Sequence, residues 1–145
     1  MRTKLLNESG GLRTFAVILD TGEEVMASLK EVAAREKLTA AQITAIGAFS
    51  DATLGYFDWD KKEYLKIPVG EQVEVVAMLG DIGEEEDGKP ALHVHLVLGR
   101  RDGTALGGHL LEAHVRPTLE VIVNESPAHL RRRKDAVTGL ALIRF

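Results

Sequence analysis

The sequence predicts an α+β domain, a mostly antiparallel β-sheet of about seven or eight strands with one main helix. Two observations carry that expectation. Short runs rich in β-branched and aromatic residues recur along the chain, each closed by a turn signal. Only one segment spaces its apolar residues at helical intervals. With 145 residues and no linker, repeat or low-complexity tract, the chain reads as a single domain, 1–145, with its core over about residues 12–145.

The elements follow in order. Arg13–Asp20 (RTFAVILD) is a strand ending in the turn Thr21-Gly22. Glu23 and Glu24 then open the helix, acids at the positive end of its dipole, and Val25, Met26, Leu29, Val32 and Ala33 share one side as far as about Lys37. Strands are expected at Ile43–Gly47, Thr53–Phe57, Glu63–Ile67 and Gln72–Leu79, where Val73, Val75 and Ala77 share a face. The acidic stretch Glu84–Asp87 before Gly88 is a solvated loop tip. Ala91–Leu98, Ala105–Val115, Leu119–Val123 and Leu140–Arg144 are the remaining strands.

Composition removes several classes of function. The chain has no cysteine, so disulfides, thiolate metal centres and a cysteine nucleophile are excluded. Eighteen basic against 22 acidic residues give a formal net charge of −4, which disfavours non-specific nucleic-acid binding by the bulk of the surface. The N-terminus has no signal-peptide pattern and no run is long enough to span a membrane, so the expected location is cytoplasmic. Dinucleotide, phosphate-loop, nucleophile-elbow and H-E-x-x-H metalloprotease signatures are absent, and Ser9, Ser28, Ser50 and Ser126 stand in no triad-like setting.

The chemistry concentrates on histidine. His93 and His95 are two apart in a strand and leave the same face. His109 follows in the next strand, and the loop between decides whether it joins them. A two-residue Asp102-Gly103 loop would set position 95 against 110 and turn His109 away. In that register His114 and Glu112 would share the face of the pair. A three-residue Arg101-Asp102-Gly103 loop, with Gly103 left-handed, sets 95 against 109 and is favoured because it uses the glycine where such loops want one. Three neutral imidazoles with an open fourth position describe a zinc site, and Gly107 and Gly108 would let the backbone approach it. The alternative is a set of hydrogen-bonded structural histidines.

Glu112 and Glu120 stand in apolar strands. Either could orient a ligand histidine or act as general base beside a metal-bound water. Glu112 is the weaker candidate because it points away from the histidines in the favoured register. An acid at a subunit interface or sheet edge is the favoured reading of Glu120. Arg131, Arg132, Arg133 and Lys134 form the one basic cluster, a possible phosphate or nucleic-acid contact, though a charged connector between strands is favoured.

These motifs have a familiar order. Ile46-Gly47-Ala48, Leu54-Gly55-Tyr56, Leu79-Gly80-Asp81-Ile82, Leu92-His93-Val94-His95, Gly107-Gly108-His109-Leu110 and Pro117-Thr118-Leu119-Glu120-Val121 resemble the plants-and-prokaryotes conserved (PPC) domain from about residue 12 to the C-terminus. The resemblance implies an antiparallel sheet with little helix, a homotrimer, and a metal site at His93, His95 and His109 with zinc as the expected ion. Plant members carry AT-hooks and bind DNA, and bacterial members take a DNA-binding label from them. This chain has no AT-hook core, and it reads Leu12-Arg13-Thr14-Phe15-Ala16-Val17-Ile18-Leu19 where plant domains have Gly-Arg-Phe-Glu-Ile-Leu. The resemblance links that plant segment to protein–protein contacts, so neither the DNA contact nor that partner surface transfers.

Three functions follow as expectations. The first is a trimeric metal-containing binding or regulatory module with a small ligand at a subunit cleft. The second is a DNA-associated regulator, and the third a metal-dependent, hydrolase-like enzyme. The missing nucleophile machinery leans away from catalysis.

Overall fold

Two strands dominate the structure, and both are longer than the sequence pattern suggests. In the computed structural model, which describes residues 1–145, β3 (Ala41–Asp58) takes in both runs expected at 43–47 and 53–57. β7 (Ala105–Glu125) likewise joins the runs expected at 105–115 and 119–123. They pair antiparallel from Ala41↔Glu125 to Gly55↔His109, with register shifts at Gly47/Phe49, Phe49/Asp51 and Thr53/Leu54. Each shift breaks the two-residue alternation by which a strand is recognised, so a continuous strand reads as two.

The other elements are β1 (Arg2–Ser9), β2 (Leu12–Asp20), α1 (Val25–Glu36), β4 (Glu63–Val69), β5 (Val73–Glu84), β6 (Pro90–Gly99), β8 (Arg132–Lys134) and β9 (Ala141–Ile143). Seven strands form one antiparallel sheet in the order β1-β2-β7-β6-β5-β3-β4, and β8 and β9 form a separate pair. Because β7 pairs with β6 at its start and with β3 along most of its length, β3, β5, β6 and β7 close into a ring. The ring interior is the core, where Phe49, Leu54, Leu98, Leu110, Leu119 and Val121 are at most 1% exposed.

Helix α1 packs on β6 and β7 and buries Val25, Leu29, Val32 and Ala33, the face that its spacing predicts. Glu24 is its N-cap: the carboxylate accepts the Met26 and Ala27 amides at 3.0 and 2.6 Å. That satisfies two amides which the helix itself cannot. At the other end Lys37 turns left-handed (φ 55°), and the Leu38 amide donates to the Ala33 carbonyl while its side chain is buried. β1 was not anticipated. It is an edge strand paired only with β2 and mostly exposed, so it carries no clean alternation.

Candidate metal centre

The hairpin between β6 and β7 brings the three histidines together. Gly103 is left-handed (φ +82°), the Arg100 amide donates to the Thr104 carbonyl at 2.8 Å, and Asp102 Oδ1 accepts both the amide and the hydroxyl of Thr104. This is the three-residue loop favoured from the sequence, and it sets His95 opposite His109. His93 follows on the same face, and one ring nitrogen from each of the three lies within 4.8 Å of the others. The Nε2 atoms of His93 and His95 are 3.0 Å apart.

The surroundings favour the neutral form of two of these rings, His93 and His109. His109 is pushed down to about 4, by burial first and then by His93, His95 and Arg132. His93 is lowered by burial, then by Arg132 and His95, against the opposing pull of Asp81. A neutral imidazole is the form that ligates a cation. His109 Nδ1 is buried with no hydrogen-bond partner among the protein atoms. A buried polar atom without a partner is costly, and a cation at the convergence would supply a partner to a ligand nitrogen. The donor set therefore fits a borderline-soft metal ion.

Tyr64 fixes the orientation of His109 and was not foreseen. It reaches across from β4 and stacks on the imidazole, with ring centroids 4.7 Å apart and planes 25° apart. The space comes from Gly55, paired with His109 in β3: a Cβ there would meet the Tyr64 ring at 2.7 Å. Gly107 and Gly108 permit close approach between strands. A Cβ on either would crowd a carbonyl oxygen of a neighbouring strand, that of Leu96 or Gly55. The Gly55 and Tyr64 signal was present in the sequence, but only the β3–β4 pairing shows that they meet.

The basic cluster divides, which corrects its reading as a solvated connector. Arg132 is only 7% exposed; its guanidinium donates to Asp81 and to the Ala141 carbonyl, and its Nε has no partner. Pairing of Arg132–Lys134 with Ala141–Ile143 makes the run part of β8–β9, and the ion pair with Asp81 holds Arg132 inward. Arg131 lies 3.6 Å from Glu84, and Arg133 and Lys134 are exposed. Asp81 faces His93 across β5 and β6, so Arg132 reaches the neighbourhood of the histidines.

Glu120 does not join the histidines within the chain. It lies in a shallow depression of about 250 Å³ with Ile46, Val76, Leu79 and Ile122. Glu112 is exposed and faces Thr53, and His114 Nδ1 pairs with Asp51 Oδ1 at 2.8 Å. The alternative register, with His114 and Glu112 beside the pair, does not occur.

An antiparallel ring of strands carrying an H-x-H and a third histidine on the adjoining strand defines a class of β-rich domain with a candidate metal centre. The Plants and Prokaryotes Conserved (PCC) domain profile matches residues 6–127, and the chain belongs to that family. It resembles the crystal structure of a metal-containing protein from Archaeoglobus fulgidus at 36% identity and TM-score 0.83, over 91% of this chain and 93% of that one. A plant- and prokaryote-conserved protein from Pyrococcus horikoshii is 29% identical with TM-score 0.85, over 99% and 95% of the two chains. A Ralstonia eutropha JMP134 protein described as a candidate DNA-binding protein is 29% identical with TM-score 0.83, over 90% of each. Among curated proteins no sequence matches the chain. No helix is long and apolar enough to cross a membrane.

Proposed function

We propose that this chain is a homotrimeric, metal-containing binding or regulatory module in which His93, His95 and His109 hold zinc. The observation that carries the reading is the convergence of three ring nitrogens within 4.8 Å, two of the rings half-buried and neutral. The Archaeoglobus relative, described as metal-containing, supports it. When bound, zinc on three imidazoles keeps a coordination position open for a ligand oxygen.

The trimer rests on the family likeness and on an exposed apolar patch. Ile46, Val76, Leu79 and Ile122 are 60, 58, 57 and 37% exposed around Glu120, a grouping that marks an interaction surface. DNA binding is disfavoured by the net charge of −4 and by a basic run whose Arg132 is buried in an ion pair and whose Arg131 lies near Glu84.

Elemental analysis of untagged, gently purified protein, with its mass in solution, tests the reading. About one zinc per chain in a trimer is expected. Metal-free chains that also refuse added zinc would overturn the metal assignment, and a monomeric mass would overturn the assembly.

A further inference from the structure

Beside the histidines lies a cavity of about 330 Å³ whose wall includes His93, His109 and Arg132. Its size falls in the range of small-molecule sites. Helix α1 contributes Met26 and Lys30, β4 contributes Tyr64, and the β9 region contributes Leu140 and Leu142. Nine of its fifteen lining residues are hydrophobic, so the cavity offers one polar end and an extended apolar wall.

The charges at this cavity balance until a metal is added. Lys30 and Glu85 line it with opposite signs, and Arg132 is paired with Asp81. A divalent cation on the histidines therefore sets the sign of the polar end, leaving it positive in a low-dielectric setting. Arg132 is already immobilised by Asp81 and the Ala141 carbonyl, so contact with it costs little side-chain entropy. A phosphate would leave the apolar wall unused, whereas a carboxylate on a short hydrocarbon chain engages both.

We infer that this cavity is the binding site of a small organic carboxylate, its carboxylate group at the end formed by His93, His109 and Arg132 and its short apolar chain along the wall from Met26 to Leu142. The inference rests on the metal reading above and names the chemical class of ligand for the same site.

The test uses the full-length chain loaded with cobalt(II), its metal content measured first, and titrated with butyrate, butyramide and inorganic phosphate. Butyrate is expected to shift the cobalt absorption bands and to release heat in a calorimeter. Butyramide, without the charge, should bind about tenfold more weakly or worse. Metal-free protein should lose butyrate by a similar factor. Met26→Trp, which fills the cavity away from the histidines, should keep its cobalt and lose butyrate about tenfold. Should that variant fail to fold, Lys30→Glu changes only an exposed charge and should weaken butyrate several-fold.

A chain that holds one cobalt yet shows no response to butyrate overturns the inference and leaves the metal reading standing. Equal binding of butyramide, equal binding by metal-free protein, or phosphate binding tighter than butyrate overturns the carboxylate assignment. Failure to take up cobalt or zinc overturns both readings.

Discussion

Three like side chains spread along the β6–β7 hairpin converge, while four consecutive cations at Arg131–Lys134 separate into a buried residue, one beside a glutamate and two exposed ones. The difference lies in what holds each backbone. His95 and His109 are paired with strands on both sides and His93 with Asp81 of β5, so residue parity and register determine direction. Arg132 lies in a three-residue strand with one short partner, and its direction is set by Asp81, a residue of another element. Spacing thus carries chemistry into space only where the sheet is already rigid.

The largest effect that would break this contrast is on metal. His109→Ala should lower zinc affinity by more than about a hundredfold, beyond the range seen for loss of an outer partner, as measured by competition with a chelator. Retention of wild-type affinity would remove His109 from the ligand set.

Next come the two neighbouring arginines. Arg132→Ala leaves Asp81 without its partner beside a half-buried histidine and should cost about 3 kcal/mol in urea unfolding. Arg133→Ala, one residue on and exposed, should stay within about 0.5 kcal/mol. Equal losses would mean that the cluster acts as one patch after all.

A smaller effect sharpens the histidine side. Gly55→Ala puts a methyl group against the Tyr64 ring and should loosen its stacking on His109. Zinc affinity should fall by about tenfold. Tyr64→Leu in the same background should give no further loss if the glycine acts through the ring.

The smallest effect concerns a histidine outside the cluster. His114 is raised above its ordinary 6.5, chiefly by its hydrogen bond to Asp51, and Asp51 is lowered below 3.8 by the same bond. The histidine's share of stability is complete below 6.5 and is lost as pH rises through its folded value. The aspartate's share is present above 3.8 and is lost as pH falls through its lowered value. The pair therefore helps most between 3.8 and 6.5, and weakly because both groups are substantially exposed. NMR titration should place His114 above 6.5 in the wild type, and Asp51→Asn should bring it down.

Most of the candidate site was legible before any coordinates, and the reason is local. Parity places His93 with His95, and the Gly103 loop selects the partner of His95. What escaped was non-local. Tyr64 meets His109 only because β4 pairs with β3, Tyr64 opposite Phe57 and close to Gly55, and nothing in a run of four cations says which one turns inward. The fold was legible to the same depth. The helix showed its face, but register shifts disguised β3 and β7 as shorter strands, and edge strand β1 had too few buried positions to show a period.

The β6–β7 loop predicted the register, yet it does not hold that register alone. His109 is paired with His95 on one side and with Gly55 on the other, so β3 would keep the imidazole in place even if Arg101–Gly103 changed length. The tip is exposed and lies at the margin of the paired region, where altered chain is best tolerated. It is thus the natural place to open new chain ends or to graft a foreign peptide, leaving the histidine cluster intact while the molecule acquires a handle beside it.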